Sequence, residues 1–269
     1  MAPGILSDAV MLLTYFQPNT ADVSLVHPPI DFASLFKQLL RWAHFVAGIA
    51  WIGLLYFFNL VNVPLMKKLD GPTKGKVIPE LLPNALWYFR WGAVVTVLVG
   101  FTYYAMYILA GDARNAQGRG ANVSTGGLLG IWLLVVLVTY AIIFFVTRPD
   151  GPTSKGPTLA VVIAVLMIAM SAALLYLMGY TDISNKSLSI AIGGGMGVIM
   201  LLNVWGIIWP AQKRIIGWTR ENAEKGTPIP PESAKLARRA FLASRTNAWL
   251  SLPMLFFMAA SHDYIIFGR

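Results

Sequence analysis

The stretch "LLRWAHFVAGIAWIGLLYFFN", Leu39–Asn59, is almost entirely apolar and is long enough to cross a membrane as a helix. Its one histidine, His44, lies about a third of the way along the stretch. An ionisable side chain in hydrocarbon is costly, so its presence there indicates a functional site. Residues elsewhere in the chain that lie at the same predicted depth as His44 are therefore its candidate partners.

The composition is that of an integral membrane protein. Of the 269 residues, 57% are hydrophobic and 12% are charged, whereas soluble domains carry about 25% charged residues. Because lipid cannot satisfy free backbone polar groups, the apolar spans are predicted to be helical. The sequence contains no cysteine, which excludes disulfides, iron–sulfur clusters and covalent c-type haem.

Hydropathy and helix-breaking residues predict an all-α bundle of six transmembrane helices. The predicted spans are Phe36–Val63, Asn84–Leu109, Gly127–Thr147, Thr158–Gly179, Leu188–Trp209 and Arg245–Phe267. Pro64 and the segments "GPTKGK", "GDARNAQGRG", "RPDGPTSKGP" and "TDISNK" are predicted to be connecting loops.

The distribution of lysine and arginine predicts the orientation. Fifteen of these residues lie on the side reached at the end of the first span and six on the other side. The first side is therefore predicted to be cytoplasmic, with both termini on the outer, periplasmic side of a bacterial inner membrane. This topology also accounts for the net charge of +9 without a nucleic-acid partner.

The chain is predicted to consist of two parts. Residues 1–35 form an outer-side segment with a short interfacial helix at Ile5–Phe16, and His27 is interpreted as a loop residue of this segment. Residues 36–269 form the multi-pass membrane domain, whose longest connection, 210–244, is a cytoplasmic helical loop. Within it the sequence predicts an extension of the fifth span that ends at Gly226 and a new helix that begins near Pro231.

Two histidines lie at nearly the same predicted depth on antiparallel spans. His44 and His262 differ in depth by only about 3 Å at 1.5 Å per residue. Two such imidazoles can occupy both axial positions of a non-covalent b-type haem, and Gly48 and Gly195 are predicted to let a macrocycle approach the backbone. Alternatively, the histidines form structural hydrogen bonds or relay protons, and the "IGGGMG" run of the fifth span serves helix packing alone.

Polar side chains gather at the predicted cytoplasmic end of four spans. They are Asn59, Asn62, Asn84, Arg90, Asn203, Gln212, Arg245 and Asn247. Amides and guanidinium groups together suit a small planar anion, so Asn59, Arg90, Asn203, Arg245 and Asn247 are the candidate substrate-binding residues. Hydrogen bonds between helices and arginines that reach the headgroups are the alternative.

Four segments together resemble a known family. "RWAHFVAGIAWIGLLYFFN", "FRWGAVVTVLVGFTYY", "IGGGMGVIMLLNVWGIIWPAQKRII" and "SRTNAWLSLPMLFFMAASH" are similar to the membrane domain of bacterial urate hydroxylases, the urate oxidase N-terminal domain family. They lie on the first, second, fifth and sixth predicted spans, and the resemblance runs from about Phe36 to the end.

The resemblance implies oxidation of urate to 5-hydroxyisourate, with electrons passed to the respiratory chain and not directly to oxygen. Members of the family usually carry a C-terminal cytochrome c domain that receives the electrons. This chain ends at Arg269 and has no C-x-x-C-H motif. We therefore expect either that a separate cytochrome c takes that role, or that the domain is a haem-bearing or purely structural subunit of a larger complex. A cytochrome c or subunits of a respiratory complex are accordingly the expected protein partners.

These observations lead to one main hypothesis and two alternatives. The main hypothesis is a membrane redox protein with haem b between His44 and His262, which passes electrons from a small reductant to a cytochrome c. The alternatives are a non-catalytic accessory subunit of a respiratory complex and a transporter of a planar anion. The lipid bilayer is a predicted partner in all three.

Overall fold

The computed structural model describes residues 31–148 and 156–267. The predicted interfacial helix at Ile5–Phe16 and His27 lie outside the described residues. Residues 1–39 and 40–269 form two separate units. In the described part of the first unit, the Asp31 carboxylate accepts hydrogen bonds from the hydroxyl and the backbone N–H of Ser34, at 2.6 and 2.7 Å, and these bonds lower the pKa of Asp31.

Regular structure in the described residues is entirely helical, as the sequence predicts. The helices are α1 (Phe32–Lys68), α2 (Gly71–Gly118), α3 (Thr125–Val146), α4 (Gly156–Gly179), α5 (Asn185–Lys225) and α6 (Glu232–Asp263). Within the described residues, α1 to α5 are long and apolar enough to cross a membrane.

Helix α5 is the central helix of the second unit. It packs against α2, α3, α4 and α6, and most of its apolar segment is buried. Its glycines permit close packing, because a Cβ added at Gly193 would lie 3.1 Å from the backbone oxygen of Met254 in α6. Part of the "IGGGMG" run therefore serves helix packing, one of the two interpretations that the sequence allows.

Three of the long helices contain a π-helical segment. The segments are Phe57–Asn62 in α1, Tyr104–Leu109 in α2 and Val204–Ile208 in α5. A π segment turns the side chains that follow it to a new face of the helix, and such segments are frequent at functional sites. The segment in α1 carries both Asn59 and Asn62.

Pro64 and two segments predicted as loops are wholly or largely helical, so those three predictions were wrong. Pro64 lies within α1, directly after the π segment, where the regular hydrogen-bond ladder is already interrupted. The "GPTKGK" segment forms the first turns of α2. Pro72 is tolerated in the first turn, because the N–H groups there have no partner within the helix and proline lacks only such a group. Most of "GDARNAQGRG" likewise continues α2 to Gly118.

The two ends of the second unit differ in structure. We call the end with residues 226–231 the inner end and the end with residues 180–184 the outer end. At the inner end, α5 ends at Lys225 and Gly226 adopts the left-handed conformation, with φ 70°, which agrees with the sequence analysis. At the outer end, the side chain of Asp112 accepts hydrogen bonds from the backbone and the hydroxyl of Ser184.

Candidate functional site

A cleft of about 100 Å³ lies at the inner end, between α1, α2, α5 and α6. A water molecule needs only about 10–15 Å³ by a comparable measure, so the cleft has room for a small ligand. Its polar lining residues are Asn59, Asn62, Gln212 and Ser244, and its aromatic ones are Phe58, Phe89 and Phe241. The four helices are those that carry the family resemblance.

Two asparagines that line this cleft carry buried acceptor oxygens. The Nδ2 of Asn59 donates to the backbone oxygen of Leu55 and to the hydroxyl of Ser244, both at 2.9 Å. The Oδ1 atoms of Asn59 and Asn62 are buried and have no hydrogen-bond partner among the described residues. A buried acceptor without a partner costs about 1–3 kcal/mol, so both oxygens are suited to accept N–H groups of a ligand.

Aromatic rings form the walls beside these amides. The rings of Phe58 and Phe89 are 5.4 Å apart and nearly perpendicular, and Phe89 is 1% exposed. Phe241 of α6 lines the same cleft. Apolar walls with a few convergent polar groups are typical of small-molecule sites, and flat rings at the wall favour a planar ligand.

Asn203 and Asn247 bind each other and do not line the cleft. The Nδ2 of Asn203 donates to the Oδ1 of Asn247 at 2.8 Å, and the Nδ2 of Asn247 donates to the backbone oxygen of Met200 at 2.9 Å. Both side chains are fully buried. This pair therefore joins α5 to α6, as in the alternative interpretation of the polar residues.

The two candidate arginines stack on aromatic rings. The guanidinium carbon of Arg90 lies 3.9 Å from the ring centre of Trp209 and 5.7 Å from that of Trp205. The guanidinium carbon of Arg245 lies 5.3 Å from the ring centre of Phe241. Neither arginine lines the cleft, although Arg245 stacks on one of its walls.

His44 is bound by α2. Its Nδ1 lies 2.8 Å from the backbone oxygen of Thr96. Since a carbonyl oxygen can only accept, Nδ1 carries the proton and the Nε2 of a neutral ring keeps its lone pair. Metal-binding histidines commonly have this arrangement, in which the other ring nitrogen donates to a backbone carbonyl.

Gly100 makes room for this imidazole. A Cβ added at Gly100 would lie 2.6 Å from the Cε1 and Nδ1 atoms of His44. The sequence analysis missed both Thr96 and Gly100 as partners of the histidine. Their spacing of four residues, which places them on one face of α2, is the only signal that could have indicated them.

His262 has other partners than His44. Its Nε2 is 3.5 Å from the Nη2 of Arg41, one turn from His44, and its Nδ1 is 3.2 Å from the hydroxyl of Ser261. A hydrogen bond between the hydroxyls of Tyr56 and Ser251 and one from Asn59 to Ser244 show that α1 and α6 run antiparallel.

The rings of the two histidines have different neighbours, and His262 lies beside Arg41, one turn of α1 away from His44. The ring of His44 lies against α2, whereas the exposed His262 lies near Arg41. Among the contacts of the described residues, none joins the two imidazoles. In that same part of the chain, no group of three or more histidine or acidic side chains could hold a metal ion.

The glycines predicted to face a macrocycle lie against other helices. A Cβ at Gly48 would be 3.6 Å from Thr96 in α2. A Cβ at Gly195 would be 3.0 Å from Val136 in α3 and 3.4 Å from Met170 in α4. Gly48 therefore lies beside the side chain of Thr96, the residue whose carbonyl binds His44, whereas Gly195 packs in the core.

Comparison with known proteins gives one family. The family model described as urate oxidase N-terminal matches residues 69–269. This range covers α2 to α6, and hence three of the four helices around the cleft. No curated protein and no solved structure gives a significant match.

Proposed function

Because the chain belongs to the urate oxidase N-terminal family, we propose that it is a membrane oxidoreductase that binds urate in the inner cleft. The observation that carries this proposal is the pair of buried, unpartnered Oδ1 atoms of Asn59 and Asn62 between aromatic walls. Urate is planar and has several N–H groups on its edge. Its rings fit beside phenylalanine side chains, and its N–H groups can donate to the two amide oxygens.

The proposed reaction is a two-electron oxidation. Urate and one water molecule give 5-hydroxyisourate, two electrons and two protons, and the electrons leave one at a time toward a cytochrome c or a respiratory complex. Gln212 and Ser244 are the other polar groups that line the cleft, and they can orient the water by hydrogen bonds. The cleft lies at an end of the bundle, so the released protons can reach solvent.

A b-type haem is part of the same proposal. His44 and His262 would hold it, and when bound it supplies a one-electron acceptor between the cleft and the cytochrome. The hydrogen bond from His44 to Thr96 supports this role, because it leaves Nε2 free to bind iron. At His262 the Nε2 faces Arg41, so Arg41 must move away before this nitrogen can bind a metal.

The proposed topology has six spans, with α6 crossing the membrane beside α5 and both termini on the periplasmic side of a bacterial inner membrane. The inner end then faces the cytoplasm and the histidines lie near the periplasmic surface, where a cytochrome c can accept electrons. The apolar length of α1 to α5 supports their crossing of the membrane. The excess of basic residues at the inner end supports this orientation.

The substrate is tested by equilibrium dialysis of the purified protein with labelled urate. We expect saturable binding, and Asn59→Ala and Asn62→Ala should each weaken it about fivefold to tenfold, since one hydrogen bond contributes about 1 kcal/mol. Asn84→Ala is the matched control, because Asn84 is exposed and its side chain donates to the backbone oxygen of Glu80 in its own helix, α2. Unchanged affinity in both cleft variants would refute the site.

The cofactor is tested by the difference spectrum of dithionite-reduced minus oxidised protein. We expect a b-type α-band in the wild type that is lost in His44→Ala and His262→Ala and kept in His27→Ala. Urate should reduce the same band without dithionite. A colourless protein that binds urate would favour an anion transporter, and a colourless protein that does not bind it would favour an accessory subunit.

A further inference from the structure

We propose that Arg148, at the end of α3, and Arg239, in α6, form a binding site for the phosphate of an anionic phospholipid. This site is separate from the inner cleft and does not depend on the proposed redox function. It rests on the contacts of Arg239, the charge of Arg148 beside it and the apolar surface of α3 that leads to both.

Arg239 holds two guanidinium donors out of solvent. Its Nε and Nη2 atoms are buried and have no hydrogen-bond partner among the described residues. Its guanidinium carbon lies 5.0 Å from the ring centre of Phe144, and this ring covers one face of the group without accepting either N–H. Buried polar groups in proteins are almost always hydrogen-bonded, so these donors favour an acceptor from outside the chain.

Arg148 adds a second positive charge at the same place. Its guanidinium carbon lies 4.4 Å from the ring centre of Phe145, and this ring is 6.3 Å from that of Phe144, on which Arg239 lies. The charges of the two arginines therefore interact. In the described part of the chain, neither arginine forms an ion pair with a carboxylate. Two adjacent like charges repel each other, and an anion that binds both relieves the repulsion.

The chemistry of the two side chains selects a phosphate. Guanidinium groups present planar arrays of N–H donors that match the oxygens of a phosphate, and such charge-assisted bonds are stronger than neutral ones. Phe144 and Phe145 each lie against one of the two guanidinium groups. An ordinary arginine that reaches the headgroup region keeps its donors in water, and Arg239 does not.

The surface of α3 indicates that the phosphate belongs to a lipid. Val138, Ile142 and Phe145 are 51%, 42% and 57% exposed, and their spacing of four and three residues places them in one stripe along the helix. The stripe leads along an apolar span to Arg148 at its end. An acyl chain can lie along this stripe while the headgroup phosphate of the same lipid reaches the two arginines. A free phosphate ion would not need an apolar stripe beside its site.

The experiment measures lipid retention by native mass spectrometry of the full chain in detergent. The probes are phosphatidylglycerol and phosphatidylcholine, offered to the wild type and to Arg148→Gln, Arg239→Gln and Arg214→Gln. We expect the wild type to prefer phosphatidylglycerol, and each of the first two variants to bind it about tenfold more weakly. Arg214 is an exposed residue of α5 near the inner end, so its variant removes the same charge outside the site and should bind as the wild type does.

Three results would overturn the proposal. Equal weakening in Arg214→Gln would mean that only the net charge of this surface attracts the lipid. Equal retention of the two lipids by the wild type would remove the preference for an anionic headgroup. Labelled inorganic phosphate that binds saturably to the wild type in lipid-free detergent, and not to Arg148→Gln, would assign the site to free phosphate. The Arg148→Gln variant is expected to fold normally, because Arg148 is exposed.

Discussion

Replacement of Gly100 by alanine tests the environment of His44 most directly. The added Cβ would lie 2.6 Å from two atoms of the imidazole, which is closer than non-bonded carbon and nitrogen atoms can approach. The ring must therefore move away from α2. Because its Nδ1 is 2.8 Å from the oxygen of Thr96, that movement breaks the hydrogen bond.

The expected loss of stability follows from three contributions. Overpacking costs about 1–3 kcal/mol, and loss of the hydrogen bond costs about 0.5–1.5 kcal/mol. Alanine in a helix is better than glycine by about 0.5–1 kcal/mol, which offsets part of this cost. Gly100→Ala should therefore lower the free energy of unfolding by about 0.5–4 kcal/mol.

The assay is reversible unfolding in mixed detergent, followed by circular dichroism. Gly111→Ala in the same helix is the matched control, because a Cβ there meets no atom within 4 Å, and it should be neutral or stabilising by up to about 1 kcal/mol. In a His44→Ala background the cost of Gly100→Ala should disappear, which gives a coupling energy between the two positions. If Gly100→Ala is as stable as Gly111→Ala, the described packing of His44 is incorrect.

Two other substitutions test the central helix. Asn247→Ala should lower the free energy of unfolding by about 2–4 kcal/mol, because it leaves buried groups of Asn203 and of the backbone without partners. The control Asn84→Ala, at an exposed residue, should stay within about 0.5 kcal/mol of the wild type. If a denaturant titration gives the same free energy of unfolding for both variants, the hydrogen bonds of Asn247 do not stabilise the fold. Gly206→Ala should cost about 1–3 kcal/mol, because its Cβ would lie 2.6 Å from the Tyr140 hydroxyl. Tyr140→Phe removes that oxygen and should recover most of the loss in melting temperature, and no recovery would exclude the clash as the cause.

Most of the fold could be predicted from the sequence. The apolar runs fixed the helices, because a chain in lipid must bond its own backbone groups. The errors lie at the helix ends. Pro64 and "GPTKGK" were assigned to loops from their residue types, although proline is tolerated in a first turn and beside a π segment.

The site could be predicted only in part. The sequence placed Asn59, Asn62 and Gln212 at one depth, and all three line the cleft. It grouped Asn203 and Asn247 with them, but these two bind each other in the core. Hydropathy gives the depth of a residue along a helix axis, whereas the direction of its side chain depends on helix rotation, which is set by packing.

The sequence by itself determined that the chain forms apolar helices, and it predicted similar heights for His44 and His262, because helical rise converts residue number into height. Only the tertiary structure decided what each histidine binds. The imidazole of His44 lies in the space left by Gly100 and donates to Thr96, and His262 lies near Arg41. These contacts join residues distant in sequence, and they depend on how closely two helices approach and how each is rotated, which no local pattern encodes.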